Sequence, residues 1–188
     1  MTVIPIMPKT QGLETHRAGQ VVVDQDTVIE NGCVQVKNGW IVQVGVYNSK
    51  TMEGRIFDHG SGCLIPSLIN AHTHLELSAL KGKLTVDRGF QQWVKELIDV
   101  RDQIGNKGLL KAIPSAVNDL MDSGSLVVGD ISSLGIVEVP LRKTRLSGVL
   151  FREYLGNIIP ETKMDDIHPS LNLSWAGHAP HTASPELL

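Results

Sequence analysis

Aromatic residues make up only 4% of this 188-residue sequence, and cysteine occurs twice, as Cys33 and Cys63. Two cysteines so far apart form neither a zinc knuckle nor a disulfide framework. Both have apolar neighbours, so they are expected to be buried free thiols in a reducing, cytoplasmic setting. No apolar run approaches the roughly 18 residues that a membrane span requires. The N-terminal stretch holds Pro5 and Pro8 and has no basic segment leading into an apolar one, so no signal peptide is expected. A basic stripe with interleaved aromatics is also missing, and the formal net charge is −3, which argues against nucleic acid as a partner. Short-period repeats and low-complexity segments are absent too. What remains is 41% hydrophobic, 20% charged and rich in aliphatic residues and glycine. That composition suits a parallel α/β sheet with aliphatic buried strands.

Residues 20–60 read as short antiparallel strands. Gln20 to Asp24 is an apolar run, and Arg55 to His59 has strand character. Cys33 to Val36 and Ile41 to Val46 flank Lys37-Asn38-Gly39, and Asn-Gly between two such runs signals a hairpin. Val34, Val36, Ile41, Val44 and Val46 are the expected core-facing set. Together these strands suggest a small β-sandwich module over residues 1–62, closed by the Gly60-Ser-Gly62 turn.

The pattern changes from Cys63 onward. Leu64 to Asn70 reads as a buried strand with His72 and His74 at its end. If the backbone stays extended, side chains two residues apart share one face, so two imidazoles can ligate one metal ion. A bare His-x-His is common, and two unrelated loop residues are the bland alternative. Apolar residues at helical spacing cover Phe90 to Ile104 (Phe90, Val94, Leu97, Ile98, Val100), where Gly105 stops the helix. Leu109 to Met121 gives a second helix, with Pro114 in its first turns. Further strands are expected at Leu126–Gly129, Ser147–Tyr154 and Leu171–Ala176, with a short helix over Ile136–Lys143. Strands alternating with helices predict a parallel sheet over residues 63–188. Four such strands make either a complete α/β domain or half of a (β/α)8 barrel, which typically needs about 250 residues. Ser184-Pro-Glu-Leu-Leu188 looks like a helix start cut after one turn, which favours the half-barrel and a truncated chain.

The stretch Leu64-Ile-Pro-Ser-Leu-Ile-Asn-Ala-His-Thr-His-Leu-Glu76, following a small β-module, resembles the metal-dependent amidohydrolase superfamily. Within it, the likeness is to the branch of chlorohydrolases and cytosine, guanine and adenosine-type deaminases. Gly177-His-Ala-Pro-His-Thr-Ala-Ser-Pro-Glu186 is similar to the Pro-His-Ala-Pro-Tyr-Thr segment that ends the fourth barrel strand of that branch. Leu75-Glu-Leu-Ser78 and Phe90-Gln-Gln-Trp-Val94 look like members that deaminate purine-type nucleosides, including aminodeoxyfutalosine deaminases. The resemblance implies that His72 and His74 are the first two ligands of a divalent metal, zinc first and iron second. It implies that His178 contacts a small-molecule substrate. His181 stands where the branch more often has tyrosine, which leaves it between substrate contact and a supporting or surface role. Glu76 is left between facing the site and lying solvated on its loop. The family completes its site with residues from the fifth, sixth and eighth strands, so a chain ending after the fourth is expected to bind metal weakly and turn over little.

Asp130 and Glu153 fall at strand ends, where a structural hydrogen bond is the first expectation. His16, His59 and His168 lie outside any motif and read as surface residues. The implied reaction is hydrolytic deamination of a purine- or pyrimidine-type ring by metal-activated water. The alternatives are cyclic-amide or carbon–halogen hydrolysis, or a catalytically silent half-barrel serving binding or assembly. A homo-oligomer is left open.

Overall fold

The structure, a computed structural model, describes residues 12–85, 87–154, 156 and 170–179. His168, His181 and the Ser184–Leu188 helix start lie outside the described residues. The chain divides into two compact units, parted between Ser67 and Leu68.

The first unit is one mixed sheet. β1 (Leu13–Val22), β2 (Val28–Lys37), β3 (Trp40–Val46) and β4 (Arg55–Asp58) lie in the order β3-β2-β1-β4, and the two-residue β5 (Cys63–Leu64) also pairs with β1. β1–β2 and β2–β3 are antiparallel. β4 and β5 run parallel to β1, so the expectation of antiparallel strands throughout holds only for the first three. Asn38 (φ 53°) and Gly39 (φ 84°) form the two-residue turn between β2 and β3, with the paired positive φ of a primed hairpin turn.

The buried face of that hairpin is not the expected one. Cys33 and Gln35 are buried, whereas Ile41, Val44 and Val46 are exposed. Gln35 donates to Thr15 Oγ1 at 3.0 Å, and Thr15 donates to the Glu53 carbonyl at 2.9 Å. This satisfied polar chain lets a glutamine occupy the interior. The apolar alternation therefore marks the opposite face, over which no described residue forms a second layer. Cys33 is buried with Sγ 3.9 Å from Met52 Sδ, but Cys63 is exposed, contrary to expectation. Its strand meets only Gln20 and Val21 of β1.

Cys63 and Leu64 thus belong to the first sheet rather than to the strand of the two histidines. Pro66 explains the split: it has no N–H to give to a ladder, so the apolar run cannot continue as one strand.

The second unit is a parallel sheet in the order β6-β7-β8-β9, built from β6 (Leu68–Thr73), β7 (Ser125–Ser132), β8 (Ser147–Tyr154) and β9 (Leu171–Gly177). A 3-10 helix over Leu75–Leu80 and α1 (Phe90–Asp122) connect β6 to β7, and α2 (Glu138–Leu141) connects β7 to β8. Gly105 breaks α1 with φ 65° and ψ 166°, where the sequence places a helix end. After the break, Leu109, Ile113 and Val117 recur at helical spacing and are buried. They join Leu75, Val128, Val137, Leu141, Leu146, Leu150 and Leu171 in the core on one face of the sheet. Before the break no α1 side chain is buried, and Phe90 and Ile98 are exposed. The apolar spacing there gains only partial cover, with Val94, Leu97 and Val100 half-buried. The fold is α/β, with one mixed and one parallel sheet.

Candidate metal centre

All four parallel strands point the same way, so their C-terminal ends line one edge of the sheet. His72 is the penultimate residue of β6, and His74 precedes the 3-10 helix. Pairing along β6 is irregular here: Asn70 is opposite Val128 and Thr73 opposite Asp130, so three steps on β6 match two on β7. Such a bulge places His72 in a stretch the ladder does not register, and bulges re-aim side chains.

The two imidazoles converge. Their Nε2 atoms are 3.2 Å apart, with ring centroids at 5.1 Å and planes inclined by 70°. His74 Nδ1 lies 3.1 Å from the Ile131 carbonyl oxygen. A carbonyl only accepts, so Nδ1 carries the proton and neutral His74 presents a bare lone pair at Nε2. This outer hydrogen bond to a backbone carbonyl is the arrangement that orients a ligating histidine. Two nitrogens each about 2.05 Å from zinc and 3.2 Å apart subtend about 100° at the metal, near the tetrahedral angle. The pair therefore fits a divalent metal. Among the described residues, no group of three or more His, Cys, Asp or Glu side chains gathers to hold one.

Behind the pair, Asp130 at the end of β7 is fully buried. Its Oδ1 accepts the Leu75 N–H at 2.8 Å, and its Oδ2 has no hydrogen-bond partner among the described residues. Burial pushes its carboxyl up to about 7; the Leu75 N–H pulls it down and the nearby Glu76 pushes it further up.

Glu76 is neither solvated nor turned toward open space. Only 2% of it is exposed. It accepts from Ser132 Oγ at 2.6 Å, from Ser133 N at 2.9 Å and from Leu134 N at 3.2 and 3.3 Å. The carboxylate holds the loop that follows β7, and a substrate contact would have to displace these bonds. Ser133 Oγ in turn donates to Glu153 Oε2 at 2.8 Å, linking the loop to the end of β8. The two serines were not singled out from the sequence; their position two and three residues after Asp130, where β7 ends, is the signal that was available.

His178 follows β9 directly and is exposed, with its N–H donating to the Tyr154 carbonyl at 3.0 Å. It sits on the same sheet edge as the pair, three strands away, or roughly 14 Å along a flat sheet. His16, read as a surface residue, is buried in the first unit. It stacks on Phe57 at 4.7 Å and lies with Nδ1 3.1 Å from His59 Nε2.

No family model matches the sequence. The chain is 28% identical over 188 residues to a 5-methylthioadenosine/S-adenosylhomocysteine deaminase of Pyrococcus furiosus, covering 90% of this chain and 44% of that one. The structure of Helicobacter pylori aminofutalosine deaminase with methylthio-coformycin superposes with a TM-score of 0.75 at 26% identity, over 93% of this chain and 46% of that one. A zinc-bound adenosine deaminase from Xanthomonas campestris shares the fold, with a TM-score of 0.70 at 20% identity, over 91% of this chain and 44% of that one. The chain spans less than half the length of these relatives. These relatives are deaminases of the amidohydrolase superfamily, and nearly the whole of this chain is similar to the N-terminal part of theirs.

Proposed function

We propose that this chain forms the first four strands of a (β/α)8 hydrolase barrel, and that His72 and His74 are two ligands of its catalytic metal. Zinc is the proposed ion, with iron as the second choice. The reaction is hydrolytic deamination of a small purine-type ring or nucleoside, releasing ammonia. The observation that carries this reading is the 3.2 Å approach of the two Nε2 atoms, with His74 held by the Ile131 carbonyl. The match over about 90% of this chain to a nucleoside deaminase supports the substrate class.

Within this reading, a divalent metal supplies the Lewis acidity that brings the pKa of water toward 7. His72 and His74 place it at the C-terminal edge of the parallel sheet, where barrel enzymes gather their active sites. His178 is on the substrate side of that edge, and His181 is a second candidate for substrate contact. Glu76 serves the site by holding the Ser132–Leu134 loop beside the metal pair. The first sheet is part of a β-sandwich, and the proposed setting is the cytoplasm, with no helix of the described residues long and apolar enough to cross a membrane. Two imidazoles make a weak site on their own, and the remaining ligands come from outside the described residues.

The test is cobalt or zinc titration of the chain, followed by calorimetry or visible absorption, together with turnover assays that read ammonia from purine nucleosides and aminated pyrimidines, ring opening of cyclic amides and chloride from chlorinated triazines. The expected outcome is micromolar or weaker binding that His72→Ala and His74→Ala each abolish. Little or no turnover by this chain is expected, and what there is should be confined to the aminated purine-type rings. Binding that survives both substitutions would overturn the metal assignment, and turnover confined to the amides or triazines would overturn the substrate class.

A further inference from the structure

The bulge in β6 leaves open what holds the histidine pair in place. A ladder fixes side-chain direction through successive backbone hydrogen bonds, and here the pairing skips between Asn70 and Thr73. The neighbouring strand grips the chain just beyond the skip at two consecutive positions. Asp130 Oδ1 takes the Leu75 N–H at 2.8 Å, and the Ile131 carbonyl takes His74 Nδ1–H at 3.1 Å. β7 also comes very close to the bulge: a Cβ on Gly129 would lie 2.4 Å from the Ala71 carbonyl oxygen.

Asp130 is an expensive way to satisfy one amide. It is fully buried and leaves Oδ2 without a partner, an arrangement that burial penalises in an ordinary core. The hydrogen bond to Leu75 sets the peptide that follows His74, and so the direction in which that imidazole leaves the backbone. We infer that Asp130 is a positioning residue for the metal site: by holding the Leu75 amide it aligns His74 Nδ1 on the Ile131 carbonyl and Nε2 on the metal. This rests on the reading of His72 and His74 as ligands.

The experiment compares Asp130→Ala and Asp130→Asn in the full chain, with Asp130→Val replacing the alanine variant should that fail to fold. Two quantities are read: the affinity for cobalt, and the His74 Nδ1–H tautomer by nitrogen-15 NMR of the metal-free protein. Asparagine keeps an oxygen for Leu75, so cobalt affinity within a few-fold of the parent is expected, with the tautomer unchanged. Alanine is expected to lose roughly 10- to 100-fold in affinity, the usual effect of removing an outer partner of a ligand, and to lose the fixed tautomer. Equal losses in the asparagine and alanine variants, or no change in either, would overturn the role. If the parent protein takes up no cobalt, the ligand reading itself fails. The tautomer then decides alone: kept in asparagine and lost in alanine supports positioning, and unchanged in both overturns it.

Discussion

The two units of this protein bury polar and apolar residues in different proportions. The first sheet places Glu14, Thr15, His16 and Gln35 inside and leaves Trp40, Ile41, Val42 and Val46 exposed. The parallel sheet buries a run of leucines, isoleucine and valines beneath α1 and α2. In the first unit the interior is held by directional bonds between polar groups, and in the second mainly by non-directional apolar contact. The difference shows that apolar alternation reports which side chains prefer cover, while the side that receives cover is decided by what else is available.

Substitutions can break this comparison. Ile113 is fully buried in the core of the second unit, and Ile113→Ala is expected to destabilise that unit by about 2–5 kcal/mol. Urea unfolding followed by amide NMR signals of β7 and β8 measures it. Glu76→Ala comes next. It removes the acceptor for Ser132, Ser133 and Leu134, and a buried donor left bare costs about 1–3 kcal/mol. The same unfolding assay should show that loss, with the largest chemical-shift changes in residues 132–135.

A pH series sets the two units against each other. His16 is held below its ordinary value, first by burial and then by His59, with Glu14 pulling the other way. The folded first unit therefore resists a proton that its unfolded chain accepts, and it should lose stability as pH falls through about 6.5. Asp130 is raised to about 7, so the folded second unit holds a proton that the unfolded chain releases near 4. Its contribution is full below about 4 and declines as pH rises toward 7. Slopes of opposite sign, each at most about 1.4 kcal/mol per pH unit, are expected in metal-free protein. His16→Gln should flatten the first slope and Asp130→Asn the second. Parallel pH dependences in the two units would contradict this assignment.

The smallest effect is expected at Ile41, which is 67% exposed. Ile41→Ala should change stability by no more than about 0.5 kcal/mol, against the several expected at Ile113. A large loss there would mean that another part of the protein covers β3.

The parallel sheet was legible in the sequence because its strands and the second half of α1 follow clean periods, and Gly105 breaks the helix where a glycine stop is expected. The Asn38-Gly39 turn was legible for the same local reason. The β2 face was not, since Gln35 is buried through a bond to Thr15, twenty positions away in the chain. The end of the first sheet was misplaced because Leu64 to Ile69 is apolar apart from Ser67, and Pro66 is what marks where one strand stops and another begins. His72 and His74 stood out by their spacing together with the motif around them. Their supports did not: Ile131 acts through its backbone, and Glu76 meets partners more than fifty residues away. Sequence pattern carries local geometry well, and it carries little about bonds made between distant strands.

The 3.2 Å between the two Nε2 atoms has a consequence for the metal-free protein. With His74 protonated at Nδ1, its bare Nε2 is free to accept the Nε2–H of His72, so a single shared hydrogen occupies the gap between the rings. That hydrogen acts as a placeholder. It keeps the two imidazoles at the spacing that the proposed metal would need, and uptake of that metal would ask His72 to shift its proton to the other ring nitrogen.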